Sequence, residues 1–411
     1  DLPTTLDPAR IARGIYLQAA LANDDLGGLT EEELERLVRD QTPLRPAQLR
    51  SLLARLRRPD VPGLVERIVA DLKTRESRGF GEFAIHRALL PEQLDAVRKE
   101  LPAVAEQTAF VLARLRKLAP SADADAEFDP VERESWLTRS WDYVRTLPAA
   151  YNSLKAHLLY ARLQHDRTRG IHDRVRFLEY LKLPRPVVYM NPRFLERSDV
   201  ARHPVDLNAS FDEAGLRLPA IGNDEELVRE FVLHFAAGDA SWEPWTEWLR
   251  DTWVKPVFAE AKITAGAGDP EQWASLLTPS AYQALKERVD IEFPPTNPQF
   301  VPIDGDVGID VTFKHTPKIL VRIHELNTLG FFLNQKRPLN TDLNLDGLVA
   351  NSEQTHEGEA SPFKRVRRTF SFPELKGKRG AWVIEFIGGG KSSRALIRKG
   401  QYSLVQQAGP A

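Results

Sequence analysis

Cysteine is absent from this 411-residue chain, and methionine occurs once. Without a thiol there is no disulfide, no thiolate metal site and no cysteine nucleophile. The compartment stays open, because a reducing cytosol and an exported protein can both do without cysteine. No run of about 18 apolar residues occurs, so no segment reads as a bilayer-spanning helix. Neither charge dominates: 56 Lys and Arg stand against 58 Asp and Glu, a formal net charge of −2. With no polybasic bias, no nucleic-acid partner is expected. HExxH pairs, paired-histidine zinc spacing and Walker-type phosphate loops are missing too, which leaves zinc and nucleotide chemistry without a motif. The chain starts at Asp1 with no initiator methionine and no signal peptide, and reads as a mature or trimmed product.

What is present is a globular composition, 42% hydrophobic and 28% charged, in a chain too long for one ordinary core. Two or three domains are expected. From Pro8 to about Glu287 apolar residues recur at three- and four-residue spacing, as in Leu49, Leu52, Leu53 and Leu56, which marks helical faces. Thr30 before Glu31, Glu32 and Glu33 has the form of a capping box, and Pro46 and Pro91 suit first helical turns. Helices are expected near 8–22, 31–40, 46–57, 61–76, 91–117, 130–146, 149–165, 171–182, 223–236, 243–263 and 279–288. Segment 118–129 reads as a linker. Segment 183–222, with five prolines and no helical period, reads as a cleft wall or lid.

After Val289 the period becomes two. Val307, Ile309, Val311 and Phe313 alternate with Gly308, Asp310 and Thr312, and Ile319, Val321 and Ile323 alternate with Leu320 and Arg322. Further strands are expected at 329–334, 340–348, 364–372, 381–388 and 393–398, with Asn351–Pro362 as a solvated loop. Seven short strands in this length imply a sandwich. The fold class is therefore an α+β multidomain protein: an irregular all-α region followed by a C-terminal antiparallel β-sandwich. The domains are 1–120, 130–288 with the irregular 183–222 insertion, and 289–411. The ending at Ala411 reads as a module boundary within a longer parent chain carrying further domains.

Three stretches of the β part carry a resemblance: Lys318 to Leu326, Arg367 to Phe372, and Gly380-Ala-Trp-Val-Ile-Glu-Phe-Ile387 followed by Ser393 to Gly400. The pattern Gly-x-aromatic-Val-x-Glu resembles the macroglobulin-like domains of alpha-2-macroglobulin-family proteins, including large bacterial ones. The helical part is similar to the leading region of long bacterial proteins carrying such modules, through Ser77-Arg-Gly-Phe-Gly81, Tyr151 to Lys155 and His165 to Gly170. The resemblance implies a macroglobulin-like sandwich and a periplasmic, cell-surface or secreted location. The thioester that many members of that family carry cannot form in this chain, since that motif needs cysteine.

The densest polar cluster runs from Tyr151 to Arg174. His157, Tyr160 and Gln164 share one helical face, and His165, Asp166 and Arg169 gather at the helix end. One reading is a site for an anionic or sugar ligand, with Tyr151, Asn152, Lys155, His157 and Arg169 as binding groups. His165 would then be acid or base, oriented by Asp166 or Asp173. The other is an ion-pair network joining two helices through the turn at Gly170. A second cluster, Asp71 to Gly81 running into His86, offers Glu76 as a general base; alternatively Gly79 and Gly81 end a helix and let Phe80 plug the core.

Trp242, Trp245 and Trp253 form one helical stripe with Leu249, which reads as core, and Trp248 falls off it. Asp342, Asn344, Asp346 and Glu353 match positions 1, 3, 5 and 12 of a calcium loop. The strand-like surroundings and Pro338 instead fit a chance match inside a β module, so calcium stays an alternative to no cofactor. The basic run Lys364, Arg365, Arg367, Arg368, Lys376, Lys378 and Arg379 reads as a strand edge protected by charge.

Two functions stay open. One is a non-catalytic recognition module of a large exported alpha-2-macroglobulin-like protein, with a protein or polysaccharide partner. The other is a hydrolase, acting on polysaccharide, with its cleft roofed by 183–222; a pair of carboxylates about 5–9.5 Å apart in an open groove would favour it.

Overall fold

A computed structural model of the chain describes residues 8–120, 123–212, 216–336, 339–341 and 349–400. The chain forms two compact units. One comprises Asp1–Leu158 with Asn208–Ala220, and the other comprises Leu159–Leu207 with Ile221–Ala411.

In the first unit the helices are α1 (Pro8–Ala22), α2 (Glu31–Arg39), α3 (Pro46–Arg55), α4 (Leu64–Leu72), α5 (Ala84–Ala88), α6 (Pro91–Glu100), α7 (Thr108–Leu118) and α8 (Pro130–Val144). Helix α9 (Asn152–Thr168) contains the boundary between the units. The caps read from the sequence are in place. Thr30 accepts from the Glu33 amide while Glu33 accepts from the Thr30 amide, and Pro46 and Pro91 open α3 and α6. Glu33 also pairs with Arg13, which holds its carboxyl down at about 2. The apolar faces converge on one core that includes Leu34, Val38, Leu52, Leu53, Leu64, Ile68, Leu94 and Phe110.

The expected single helix 91–117 is divided. Pro102 has no amide hydrogen and disfavours helical geometry at the residue before it. Leu101 accordingly takes φ −139° and ψ 79°, and a short 3₁₀ turn, Pro102–Glu106, separates α6 from α7.

The second unit continues with α10 (Arg174–Leu181), α11 (Pro192–Leu195), α12 (Glu225–Ala236), α13 (Asp251–Ala265), α14 (Pro270–Ala274) and α15 (Pro279–Glu287). The expected helix 243–263 is a 3₁₀ turn, Glu243–Glu247, followed by α13, with Leu249 bridging to Met190 in between. The tryptophans nevertheless pack inward. Trp245 is 1% exposed, Trp242 packs edge-on against Phe258, and Trp253 packs against Tyr189.

The alternating region folds into β1 (Asp290–Glu292), β2 (Phe300–Val301), β3 (Gly308–Lys314), β4 (Thr316–Leu326), β5 (Ser352–Glu359), β6 (Val366–Ser371), β7 (Gly380–Gly388) and β8 (Lys391–Lys399). They form a three-stranded sheet, β1-β3-β6, and a five-stranded sheet, β2-β8-β7-β4-β5, antiparallel except for the β2–β8 pair. Ile309, Val311 and Phe313 from one sheet meet Ile319, Val321, Ile323, Trp382, Ile384 and Phe386 from the other.

Two expectations here change. Residues 329–334 are not a strand but part of α16 (Thr328–Gln335), whose N-cap Asn327 accepts from the Gly330 amide at 2.9 Å. An unbroken apolar run fits either element, and the cap decides it. Residues expected as a loop at 351–362 contain β5, an edge strand too polar to show alternation. The strand expected at 340–348 lies largely outside the described residues.

Candidate functional site

Tyr151, Asn152, Lys155 and His157 belong to the first unit. The Tyr151 hydroxyl donates to the Glu106 carbonyl at 2.7 Å, and Lys155 Nζ donates to the Leu147 carbonyl at 2.5 Å. Burial pushes the Lys155 ammonium below its ordinary pKa. His157 Nδ1 lies 2.7 Å from the Ser153 carbonyl, and its ring meets Phe211 edge-on at 5.1 Å. Asn152 is 9% exposed.

The second part of α9 lies in the second unit. His165 and Asp166 are buried, and the Asp166 carboxylate is paired with Arg176 of α10. Asp173 is the N-cap of α10, accepting from the Arg176 amide at 3.1 Å. Arg169 is exposed. His172 stacks on His234 with ring centroids 3.7 Å apart, and burial followed by the neighbouring imidazole pushes His172 down to about 4.

In the other sequence cluster, Gly79 and Gly81 take φ of +94° and +98°. A side chain at Gly81 would place its Cβ 2.5 Å from that of Ala109. The reversal seats Phe80, 5% exposed, between His86 and Phe110. His86 Nδ1 accepts from the Gly81 amide at 2.9 Å, and burial pushes its imidazole down to about 4. Arg50 pairs with Asp71 and Glu82 behind the loop. Glu76 itself is exposed.

Segment 183–222, expected as a lid or cleft wall, is pinned at a few buried residues, while 196–199 and 201–204 are exposed. Its anchor, unmarked in the sequence reading, is Arg185, fully buried against Asp224 at 3.1 Å. Tyr180 and Tyr189 each donate to the Asp224 carboxylate at 2.6 Å, and Arg185 donates to the Tyr180 carbonyl at 2.6 Å. Asn191 holds the same segment through the Trp248 and Thr246 carbonyls. Residues 208–220 belong to the first unit, where Leu216 and Leu218 are buried. A single Arg between Pro184 and Pro186 was the available signal, but its partner is 39 positions away.

A second network missed in the sequence joins helices to sandwich within the second unit. Asp290 accepts from Arg288 Nε and Arg365 Nε, each at 2.8 Å, and Arg288 also reaches Glu260 of α13 at 2.9 Å. Burial pushes the Asp290 carboxyl up, but Arg365 and Arg288 outweigh it and hold the group below its ordinary value. Lys314, fully buried, donates to the Leu285 and Pro362 carbonyls at 2.7 and 2.8 Å.

Of the calcium-loop residues, Asp342, Asn344 and Asp346 lie outside the described residues, and Glu353 pairs with Arg322 across β4 and β5 at 2.8 Å. Among the described residues no group of three or more His, Cys, Asp or Glu is placed to hold a metal, and no helix is long and apolar enough to cross a membrane. The basic run is largely occupied: Arg365 on Asp290, Arg367 on Asp310, Lys376 on Asp306 and Arg368 on the Glu357 carbonyl. A groove of about 1110 Å³ lies on the sandwich between α16 and the ends of β7 and β8, and none of the candidate acid, base or ligand residues lines it.

A helical region leading into a sandwich of immunoglobulin type defines the class of this chain. Residues 10–289 match the Actin-binding protein F N-terminal domain and residues 319–400 match the AbpF first immunoglobulin-like domain, so the chain belongs to the Actin-binding protein F family. It is 30% identical over 367 residues to Actin-binding protein F of Dictyostelium discoideum, covering 88% of this chain and 15% of that protein. No solved structure matches.

These matches correct several expectations. The macroglobulin resemblance, with its bacterial association, is wrong: the sandwich is immunoglobulin-like and the curated relative is a Dictyostelium discoideum protein. A Gly-x-aromatic-Val-x-Glu strand reports one inward-facing and one outward-facing row of a sandwich, and many sandwich families share that pattern. The exported alpha-2-macroglobulin-like module and the polysaccharide hydrolase are overturned with it, and so is the periplasmic, cell-surface or secreted location drawn from the same resemblance.

Proposed function

We propose that this chain is a protein-interaction module that attaches to actin filaments. The support is its place in the family and the name of its relative, Actin-binding protein F. The chain spans 15% of that relative's length.

The observation that carries the reading is the pairing of Asp166 with Arg176 and the use of Asp173 as a helix cap. On this reading the side chains that the sequence marks for chemistry, among them Tyr151, Lys155, His157 and His165, hold the fold, and the outer surface does the work. Buried, paired polar groups position elements, whereas a filament is gripped by exposed ones.

The test is co-sedimentation of the purified chain with polymerised actin. Saturable pelleting with a micromolar dissociation constant is expected. A chain that stays in the supernatant at every filament concentration would place filament attachment elsewhere in the longer relatives and overturn the reading.

A further inference from the structure

The outer face of the five-stranded sheet carries a second, small apolar cluster. Val383 is fully buried there beneath Leu326, Phe331, Leu339 and Leu396. Phe331 comes from α16, and other apolar side chains of that helix stay exposed. Leu329, Phe332 and Leu333 are 67%, 59% and 64% exposed, a stripe at i, i+3 and i+4.

Phe332 and the 53%-exposed Phe300 line the same groove, whose lining also includes Ile303 and Ala381. A large side chain left in water forgoes about 1.5–3 kcal/mol that burial would return. Two such side chains, Phe300 and Phe332, lining one concavity leave the kind of apolar surface that marks an interaction site.

The rim has a sign. Arg379 and Arg398 line the groove against one acid, Asp304, whereas Lys399 is 4% exposed and its ammonium donates to the Pro302 carbonyl at 3.0 Å. Arg398 is held over the Phe300 ring at 5.2 Å and donates to the Leu339 carbonyl at 2.6 Å, so its charge is fixed in place. Arg379 is exposed and has no ion-pair partner among the described residues.

An apolar trough walled by a helix and rimmed by cations fits one kind of ligand. We propose that this groove binds an acidic amphipathic helix of a protein partner. Apolar side chains at i, i+3, i+4 and i+7 of that helix pack against Phe300 and Phe332, and its carboxylates face Arg379 and Arg398. The proposal goes beyond filament attachment and does not depend on it.

The probe is a fluorescein-labelled helical peptide of Glu, Ala and Leu with the leucines at that spacing. Two counterparts accompany it, one with Lys for every Glu and one with Ala for every Leu. Anisotropy titration of the full chain should give saturable micromolar binding of the acidic peptide and at least about tenfold weaker binding of both counterparts. Arg379→Glu and Phe332→Ser, both at exposed positions, should each weaken the acidic peptide about tenfold while the thermal midpoint and actin co-sedimentation stay unchanged. Equal binding of the Lys peptide, insensitivity to Arg379→Glu, or no saturable binding overturns the proposal. So does binding that occurs only after residues 401–411 are removed, because the groove would then belong to the chain itself.

Discussion

The guanidinium of Arg185 stands 3.1 Å from the carboxylate of Asp224, and neither side chain retains any exposure to solvent. Both carboxylate oxygens accept a tyrosine hydroxyl as well, from Tyr189 and Tyr180. A buried pair of this kind contributes little relative to an apolar pair of the same volume, but removal of one member leaves an uncompensated charge. Asp224→Ala should therefore cost about 3–5 kcal/mol. Tyr180→Phe, which removes one hydrogen bond to a charged group, should cost about 1.5–3 kcal/mol. Denaturant unfolding measures both. A loss below about 1 kcal/mol for Asp224→Ala would mean that segment 183–207 is held by something else.

His86 makes stability depend on pH in a window set by its burial. The unfolded imidazole titrates near 6.5 and the folded one at about 4. Between those values the unfolded chain binds the proton and the folded chain does not, so stability falls as pH falls from 6.5 to 4 and this contribution is flat below that. The full loss is on the order of 3 kcal/mol. His172, also down at about 4, acts in the same direction. Glu33 is held down at about 2 by Arg13, so its contribution is lost only from about 4.5 downward. Unfolding midpoints between pH 7 and 4 should drop for the wild type and drop less for His86→Gln. Parallel profiles for the two proteins would assign the acid sensitivity to other groups.

Gly81 offers a backbone test of the same loop. Alanine there must adopt φ near +98° and bring its Cβ against Ala109. Gly81→Ala should cost about 1–3 kcal/mol and expose Phe80 to quenchers or proteases. Unchanged stability would show that the loop can relax without loss.

What could be read from the sequence was local. The capping box at Thr30, proline at the start of α3 and α6, and the change of period just before β1 at Asp290 are each contained in a few neighbouring residues. Helix α16 and strand β5 escaped because one is an unbroken apolar run and the other is wet on both faces, so neither has a readable period. Pro102 was visible, yet the apolar spacing on either side hid the break it imposes. The polar networks escaped for a different reason. Arg185 and Asp224, or Asp290 and Arg365, are paired by the fold across long stretches of chain, and no spacing rule links them. The sandwich could be recognised because alternation states an architecture. Its family could not, because the same alternation serves macroglobulin-like and immunoglobulin-like domains alike.

Asp290 tests whether helices and sandwich of the second unit behave as one body. Its buried carboxylate separates the Arg288 and Arg365 guanidiniums, and Arg288 continues the network to Glu260 on α13, where Arg229 also pairs. The Arg365 amide donates to the Thr264 carbonyl at 2.9 Å, and Lys314 ties Leu285 to Pro362. Replacement of Asp290 by alanine leaves two cations facing each other without their shared anion, a change worth about 3–5 kcal/mol. The damage should be localised. In the wild type, amides of α13 and of β7 should exchange with hydrogen isotope at one common opening free energy, as parts of one cooperative unit. In Asp290→Ala the β7 amides, inside the sandwich core of Trp382, Ile384 and Phe386, should keep their protection while those of α13 lose theirs. Equal loss in both elements would mean that the cores are continuous without the ion network. Equal retention would mean that Arg288 and Arg365 find other partners and that Asp290 is dispensable to the seam.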